Sequence, residues 1–227
     1  LAAEVFGYIG QRGLELDLRS RSLYSAHILM EESFDAIEAG MEVVTLQDEL
    51  FQFVPPAYHD TLSYRQAMTL YALAFMSDNL KLHDRALEMV INATRRLETI
   101  HSAPGQPDYE THLQGRLQCF TYLCSQHRET QGAFRSCARA VDVAEELYSA
   151  RGSVDPDAAQ TLIETLVQSL QSVAEAGHIA STTSGVVSIS LSVRVARIRQ
   201  VAMMEGISIE GQLRSILDFY SNYHGNK

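Results

Sequence analysis

Two neighbouring stretches decide the reading of the fold: Tyr64–Ser77, YRQAMTLYALAFMS, and His83–Ile100, HDRALEMVINATRRLETI. Apolar side chains recur at Ala67, Leu70, Tyr71, Ala74 and Phe75 in the first, and at Ala86, Val90, Ala93 and Leu97 in the second. Steps of three and four residues place such side chains on one stripe of an α-helix, which then needs a neighbour to cover it. Segments 116–124, 131–148 and 156–176 repeat the pattern. Only 186–193, VVSISLSV, alternates with the period of two that a strand requires. The spacing therefore predicts an all-α protein of eight or nine helices.

The breaks between these stretches have their own chemistry. Pro55-Pro56 closes one helix, because proline lacks the amide donor and crowds the preceding turn. Residues 102–108, SAPGQPD, form a turn-rich loop. In Arg151-Gly152-Ser153-Val154-Asp155-Pro156 a glycine stop is followed by an Asp cap and a first-turn proline, so one helix ends there and another begins. Gly177–Gly185, rich in Ser and Thr, is the longest soft segment. No compositional break divides the 227 residues, and the sequence reads as one domain.

Composition narrows the partners. There are 28 Asp and Glu against 18 Lys and Arg, of which only Lys81 and Lys227 are lysines, and the formal net charge is −10. Such a chain repels phosphate backbones and anionic membrane surfaces, so neither nucleic acid nor membrane is expected as a partner. No apolar run approaches the roughly 20 residues of a membrane span. The three cysteines, Cys119, Cys124 and Cys137, form no CxxC pair and lie in apolar helical stretches, where they are expected as small buried hydrophobes. That usage fits a reducing interior, cytoplasmic or nuclear. The opening, Leu1-Ala2-Ala3-Glu4-Val5, has neither an initiator Met nor a basic leader and reads as a piece of a longer protein.

Internal repetition follows from the same apolar positions. Leu70, Leu73 and Ala74 are followed, twelve residues after Ala74, by Ala86, Val90 and Ala93. Leu117, Phe120 and Thr121 are followed at the same interval by Ala133, Cys137 and Ala140, and more faintly Ser20, Leu23 and Tyr24 by Ala36, Gly40 and Val43. Each unit is a helical hairpin in which bulky residues of the first helix meet small residues of the second, so that the two backbones approach closely.

This arrangement resembles the tetratricopeptide repeat. Leu70 and Leu117 stand where that family prefers Trp, and the units recur every 47 to 50 residues instead of about 34. The resemblance implies a right-handed superhelix of stacked antiparallel hairpins. Its units would be 14–53, 59–101 and 108–150, with a degenerate fourth at 155–205 and a capping helix at 207–222. It also implies a concave groove lined by first-helix residues off the packing stripe: Arg21 and Ser25, then Met68, Tyr71, Phe75 and Asn79, then Gln118, Tyr122 and Gln126. A surface of Tyr, Phe, Gln and Asn suits a peptide or helix of a partner protein. The lysine clamp that some members of the family use for C-terminal carboxylates has no counterpart in these helices.

Chemical constellations are sparse. Glu98-x-x-His101 and Glu175-x-x-His178 have the spacing used by di-iron carboxylate bundles, with Glu31, Glu32, Glu38 or Glu164 as further carboxylates. Both pairs fall at helix ends, where the macrodipole already accounts for a histidine, so no metal and no cofactor is expected. His59-Asp60 and His83-Asp84 begin helices, where Asp complements the dipole; adjacent helical residues point too far apart for a relay. There is no Gly-x-Ser-x-Gly elbow and no phosphate-binding glycine loop. Arg194, Arg197 and Arg199 could bind an acidic ligand, pair internally with Glu205 or Glu210, or be a solvated face. The expectation is a non-catalytic domain that binds a partner protein. A helical ligand-sensing regulatory domain is the alternative, and a Glu-x-x-His metalloenzyme a more distant one.

Overall fold

A computed structural model describes residues 13–20, 33–126 and 131–151, the side chains of 126, 131–134 and 151 apart, together with single positions between 163 and 218. All regular structure among these residues is helical. Five long helices are described: α1 (Phe34–Leu50), α2 (His59–Asn79), α3 (His83–Glu98), α4 (Tyr109–Gln126) and α5 (Gln131–Arg151). A 3-10 turn, Pro56–Tyr58, leads into α2, and residues 13–20 are also helical. The strand candidate 186–193, the Ser/Thr segment 177–185 and the Gly152, Asp155 and Pro156 signals lie outside the described residues. The chain gathers into two compact units, Leu1–Ala103 and Pro104–Lys227, with the boundary in the turn-rich segment 102–108.

Local chemistry sets the ends of the helices. Ser33 caps α1, its Oγ accepting the Ala36 N–H at 3.2 Å, and Asp35 adds a carboxylate to the first turn. Asp60 and Asp84 stand in the first turns of α2 and α3, as the two His-Asp pairs led us to expect, and Arg95 and Arg96 occupy the last turn of α3. The α2–α3 turn is closed by two bonds of a Schellman motif, from Lys81 N–H to Asp78 C=O at 2.9 Å and from Leu82 N–H to Ser77 C=O at 2.8 Å. Lys81 takes the left-handed conformation, φ 65°, which this motif usually gives to glycine.

In unit 1, α2 lies between α1 and α3 and is antiparallel to both. It buries Leu62, Ala67, Leu70, Leu73 and Ala74. Ala86, Val90 and Ala93 of α3 are fully buried, as the hairpin pattern requires. Gly40 of α1 is buried, and a Cβ there would overlap the side chain of Leu73. Glycine is what lets α1 come this close to α2. A smaller cluster joins Leu16 of segment 13–20 to Leu46, Leu50 and Leu62, with Phe51, Phe53 and Val54 packed against it.

Unit 2 is built on the α4–α5 hairpin. Leu113, Leu117 and Phe120 of α4 pack with Cys137, Ala140, Val141, Ala144 and Leu147 of α5. Ile163, Val167, Val195, Ile198, Val201, Ile209 and Leu213 complete this core. Ile209 and Leu213 belong to the segment expected to cap the stack, and their burial places them inside unit 2. The Arg139 guanidinium lies 5.9 Å from the centre of the Phe120 ring, a cation–π contact across the hairpin.

The cysteine expectation is corrected here. Cys124 near the end of α4 and Cys137 in α5 form a disulfide, with Cα atoms 4.7 Å apart, and Cys119 remains a buried thiol. Sequence spacing hid the pair because its partners lie on different helices, brought together only when the hairpin closes. Apolar surroundings had pointed to small core residues, and both cysteines are indeed buried, but covalently joined. With a disulfide present, cysteine usage gives no argument for a reducing compartment.

Candidate functional site

Three helices of unit 1 are tied by one polar cluster. Gln66 of α2, fully buried, donates from Nε2 to Asp48 Oδ1 of α1 at 2.9 Å and accepts from Arg96 of α3 at 2.5 Å. Arg96 also donates to Asp48 Oδ2 at 3.0 Å. At the other end of these helices Arg85 of α3 pairs with Glu38 of α1 at 2.6 Å. These two pairings, between residues 47 and 48 apart in sequence, both tie α1 to α3.

The groove residues expected on α2 follow one another along that helix. Met68 and Tyr71 are half-buried, while Phe75 and Asn79 are exposed, Phe75 to 48%. The Tyr71 and Phe75 rings meet edge to face, with centroids 5.3 Å apart. In unit 2, Gln118 is exposed and Tyr122 is buried to all but 7%, so Tyr122 presents little ring surface to a groove. Arg21, Ser25 and the side chain of Gln126 lie outside the described residues.

Beside Met68 the structure opens a cleft of about 400 Å³ between segment 13–20, α1 and α2. Leu50, Leu62 and Met68 form its apolar wall. Asp17, Ser20, Gln47 and Arg65 supply polar groups, together with Tyr64 and Thr69. Gln47 is 6% exposed, and its Oε1 has no hydrogen-bond partner among the described residues. An amide oxygen buried without a donor costs about 1–3 kcal/mol. The sequence reading passed over these cleft residues, apart from Met68 and Ser20. A signal was present in α1: among Val43, Val44, Leu46 and Leu50, all buried, Gln47 is a polar residue on the apolar stripe.

Of the arginine cluster, Arg199 is described, and it pairs internally. Its Nε and Nη2 donate to the two carboxylate oxygens of Glu210 at 2.8 and 3.0 Å. These bonds lower the Glu210 pKa and raise that of Arg199. Arg194 and Arg197 lie outside the described residues, as do Glu175 and His178. Among the described residues no group of three or more His, Cys, Asp or Glu side chains is placed to hold a metal, and Glu98 and His101 are both exposed. His83 Nδ1 instead meets Asp78 at 2.5 Å across the α2–α3 turn, and His59 Nε2 donates to the Val54 carbonyl at 3.0 Å.

One ionisable group in unit 2 is strongly perturbed. The Tyr109 hydroxyl donates to a Glu146 carboxylate oxygen, joining the start of α4 to the end of α5. That hydrogen bond, then burial and the Glu146 charge, push the phenol up to about 12, against a smaller opposing pull from Arg116. The bond ties the two helices of the hairpin. Among the described residues no helix is long and apolar enough to cross a membrane. The chain matches no protein-family model, and no curated protein or solved structure matches it.

Proposed function

We propose that this chain is a non-catalytic binding domain of tetratricopeptide-like hairpins, stacked as a right-handed superhelix, that holds a peptide or helix of a partner protein. The observation that carries this reading is the face of α2, where Met68, Tyr71, Phe75 and Asn79 form one line and two aromatic rings reach the surface together. Paired aromatic rings offer large contact area with little rotamer entropy to lose, which suits recognition of a protein segment. The α2–α3 and α4–α5 hairpins, packed through the positions that repeat in the sequence, support the stacked architecture.

The test is site-specific photo-crosslinking from exposed position 79 in the intact chain, with exposed position 150 as the control. A single crosslinked protein obtained from position 79, absent from the control and lost in Tyr71→Ser/Phe75→Ser, supports the reading. Equal crosslinking from both positions overturns it. A second reading, a ligand-sensing regulatory domain, is favoured by the cleft at Gln47, whose buried oxygen calls for a donor.

A further inference from the structure

We infer that the cleft in unit 1 binds a neutral aromatic molecule carrying a single hydrogen-bond donor, of the phenol or indole kind. Gln47 is buried to all but 6%, its Oε1 can only accept a hydrogen bond, and no described residue supplies one. That oxygen is shielded from bulk water, so its donor has to come from a group seated in the cleft that Gln47 borders. The terminal torsion of glutamine is broad, and a small turn of the amide brings the oxygen to such a group. The other polar side chains of the lining make no comparable demand. Asp17 already has an interaction of its own. Thr69 donates its hydroxyl proton to the Arg65 carbonyl at 2.9 Å. Ser20 carries a hydroxyl that both donates and accepts, so it selects neither kind of ligand group. The described lining therefore asks for one donor and for no charge.

The rest of the lining favours a ring. Tyr64, Arg65 and Met68 stand close together on α2 and all border the cleft. Each attracts an aromatic ring by a different route. An exposed guanidinium such as that of Arg65 lies over the face of a ring, a tyrosine meets one edge to face or offset, and a methionine sulfur meets its edge. Leu50 and Leu62 add apolar wall that suits any hydrocarbon, so the choice of an aromatic body comes from the α2 side. A volume of about 400 Å³ accommodates a fused pair of rings and is within the range of small-molecule sites. A phenol or an indole brings one O–H or N–H on an otherwise apolar body, which matches one acceptor set in such walls.

The inference rests on the ligand-sensing reading and is independent of the Tyr71 and Phe75 face. Its test is ligand-observed NMR titration of the intact chain with 4-methylphenol and with indole at up to about 2 mM, a range that reports millimolar dissociation constants. Each probe is paired with a twin that lacks the donor, 4-methylanisole or 1-methylindole. At least one probe is expected to bind about tenfold more tightly than its twin, because the twin leaves Gln47 unpaired. In Gln47→Leu that ratio should fall to about one while the ring still binds, a change that a merely structural role of Gln47 does not produce. Arg65→Ala, on an exposed residue, should weaken probe and twin alike by about threefold, and it keeps the test decisive if Gln47→Leu does not fold. Equal binding of probe and twin, a ratio that survives in Gln47→Leu, or binding unaffected by Arg65→Ala overturns the assignment. N-acetyl-L-tyrosinamide binding more tightly than 4-methylphenol overturns the free ligand and gives the cleft to an anchor side chain of a partner protein.

Native mass spectrometry of the purified chain separates the two levels of the argument. A retained small molecule without an aromatic ring overturns the phenol or indole class and leaves a ligand-sensing domain standing. No retained mass together with no binding of any probe overturns both.

Discussion

At the scale of single residues, two positions show how neighbours decide what a side chain does. Tyr109 has an ordinary phenol, but the bond to Glu146 pushes it up to about 12 from 10.0. Because the folded value lies above the unfolded one, the stability that this bond contributes is complete below about pH 10 and is lost as the pH rises towards about 12. Denaturant midpoints measured across that window should fall for the parent and fall less for Tyr109→Phe, and ultraviolet titration should lose its last tyrosinate step in the variant. Gly40 is the second case. Its missing side chain is the space that Leu73 fills, so Gly40→Val should destabilise unit 1 by about 1–3 kcal/mol through overpacking. Thermal unfolding of the variant checks this, and an unchanged midpoint would show that Leu73 yields freely.

At the scale of elements, the helices are punctuated by residues with specific duties. Ser33 holds the first turn of α1 through its hydroxyl, and Ser33→Ala should cost about 1 kcal/mol in chemical unfolding. Lys81 closes α2 in a conformation that a side chain resists. Lys81→Gly should therefore stabilise the α2–α3 hairpin by about 0.5–1 kcal/mol, the relief of the left-handed backbone outweighing the added freedom of glycine when unfolded. An equal or lower stability would mean that the turn tolerates lysine without cost. Both changes leave the cleft and the α2 aromatic face untouched, so they separate stability from binding in the same assays.

For the molecule as a whole, the disulfide has the widest consequence. It closes a short loop, 13 residues in sequence separation, between α4 and α5. In the chain-entropy account a loop of that size contributes about 3 kcal/mol to stability. Unfolded protein should show one reactive thiol before reduction, from Cys119, and three after it. Reduction, or Cys124→Ser/Cys137→Ser, should lower the unfolding midpoint, and three thiols in untreated protein would show the pair to be reduced. A persistent bond of this kind belongs to an oxidising environment, which is the physical reason for withdrawing the argument for a reducing one.

The sequence by itself determined the helices and the pairing of α2 with α3 and α4 with α5, because both follow from local chemistry. A period of 3.6 is written into every apolar stripe, and the small residues Ala86, Val90, Ala93 and Ala140 mark where a neighbour must approach. Proline and aspartate act on helix ends within a few residues, so Pro55-Pro56, Asp60 and Asp84 were legible in the sequence, whereas the Ser33 cap was not read there. What the tertiary structure decided is everything that depends on groups far apart in sequence. Cys124 meets Cys137, Asp48 meets Gln66 and Arg96, and Arg199 meets Glu210 only once helices are laid together. The cleft is of the same kind: Asp17, Gln47 and Arg65 come from three segments, and no spacing within any one of them reveals that their side chains border one space.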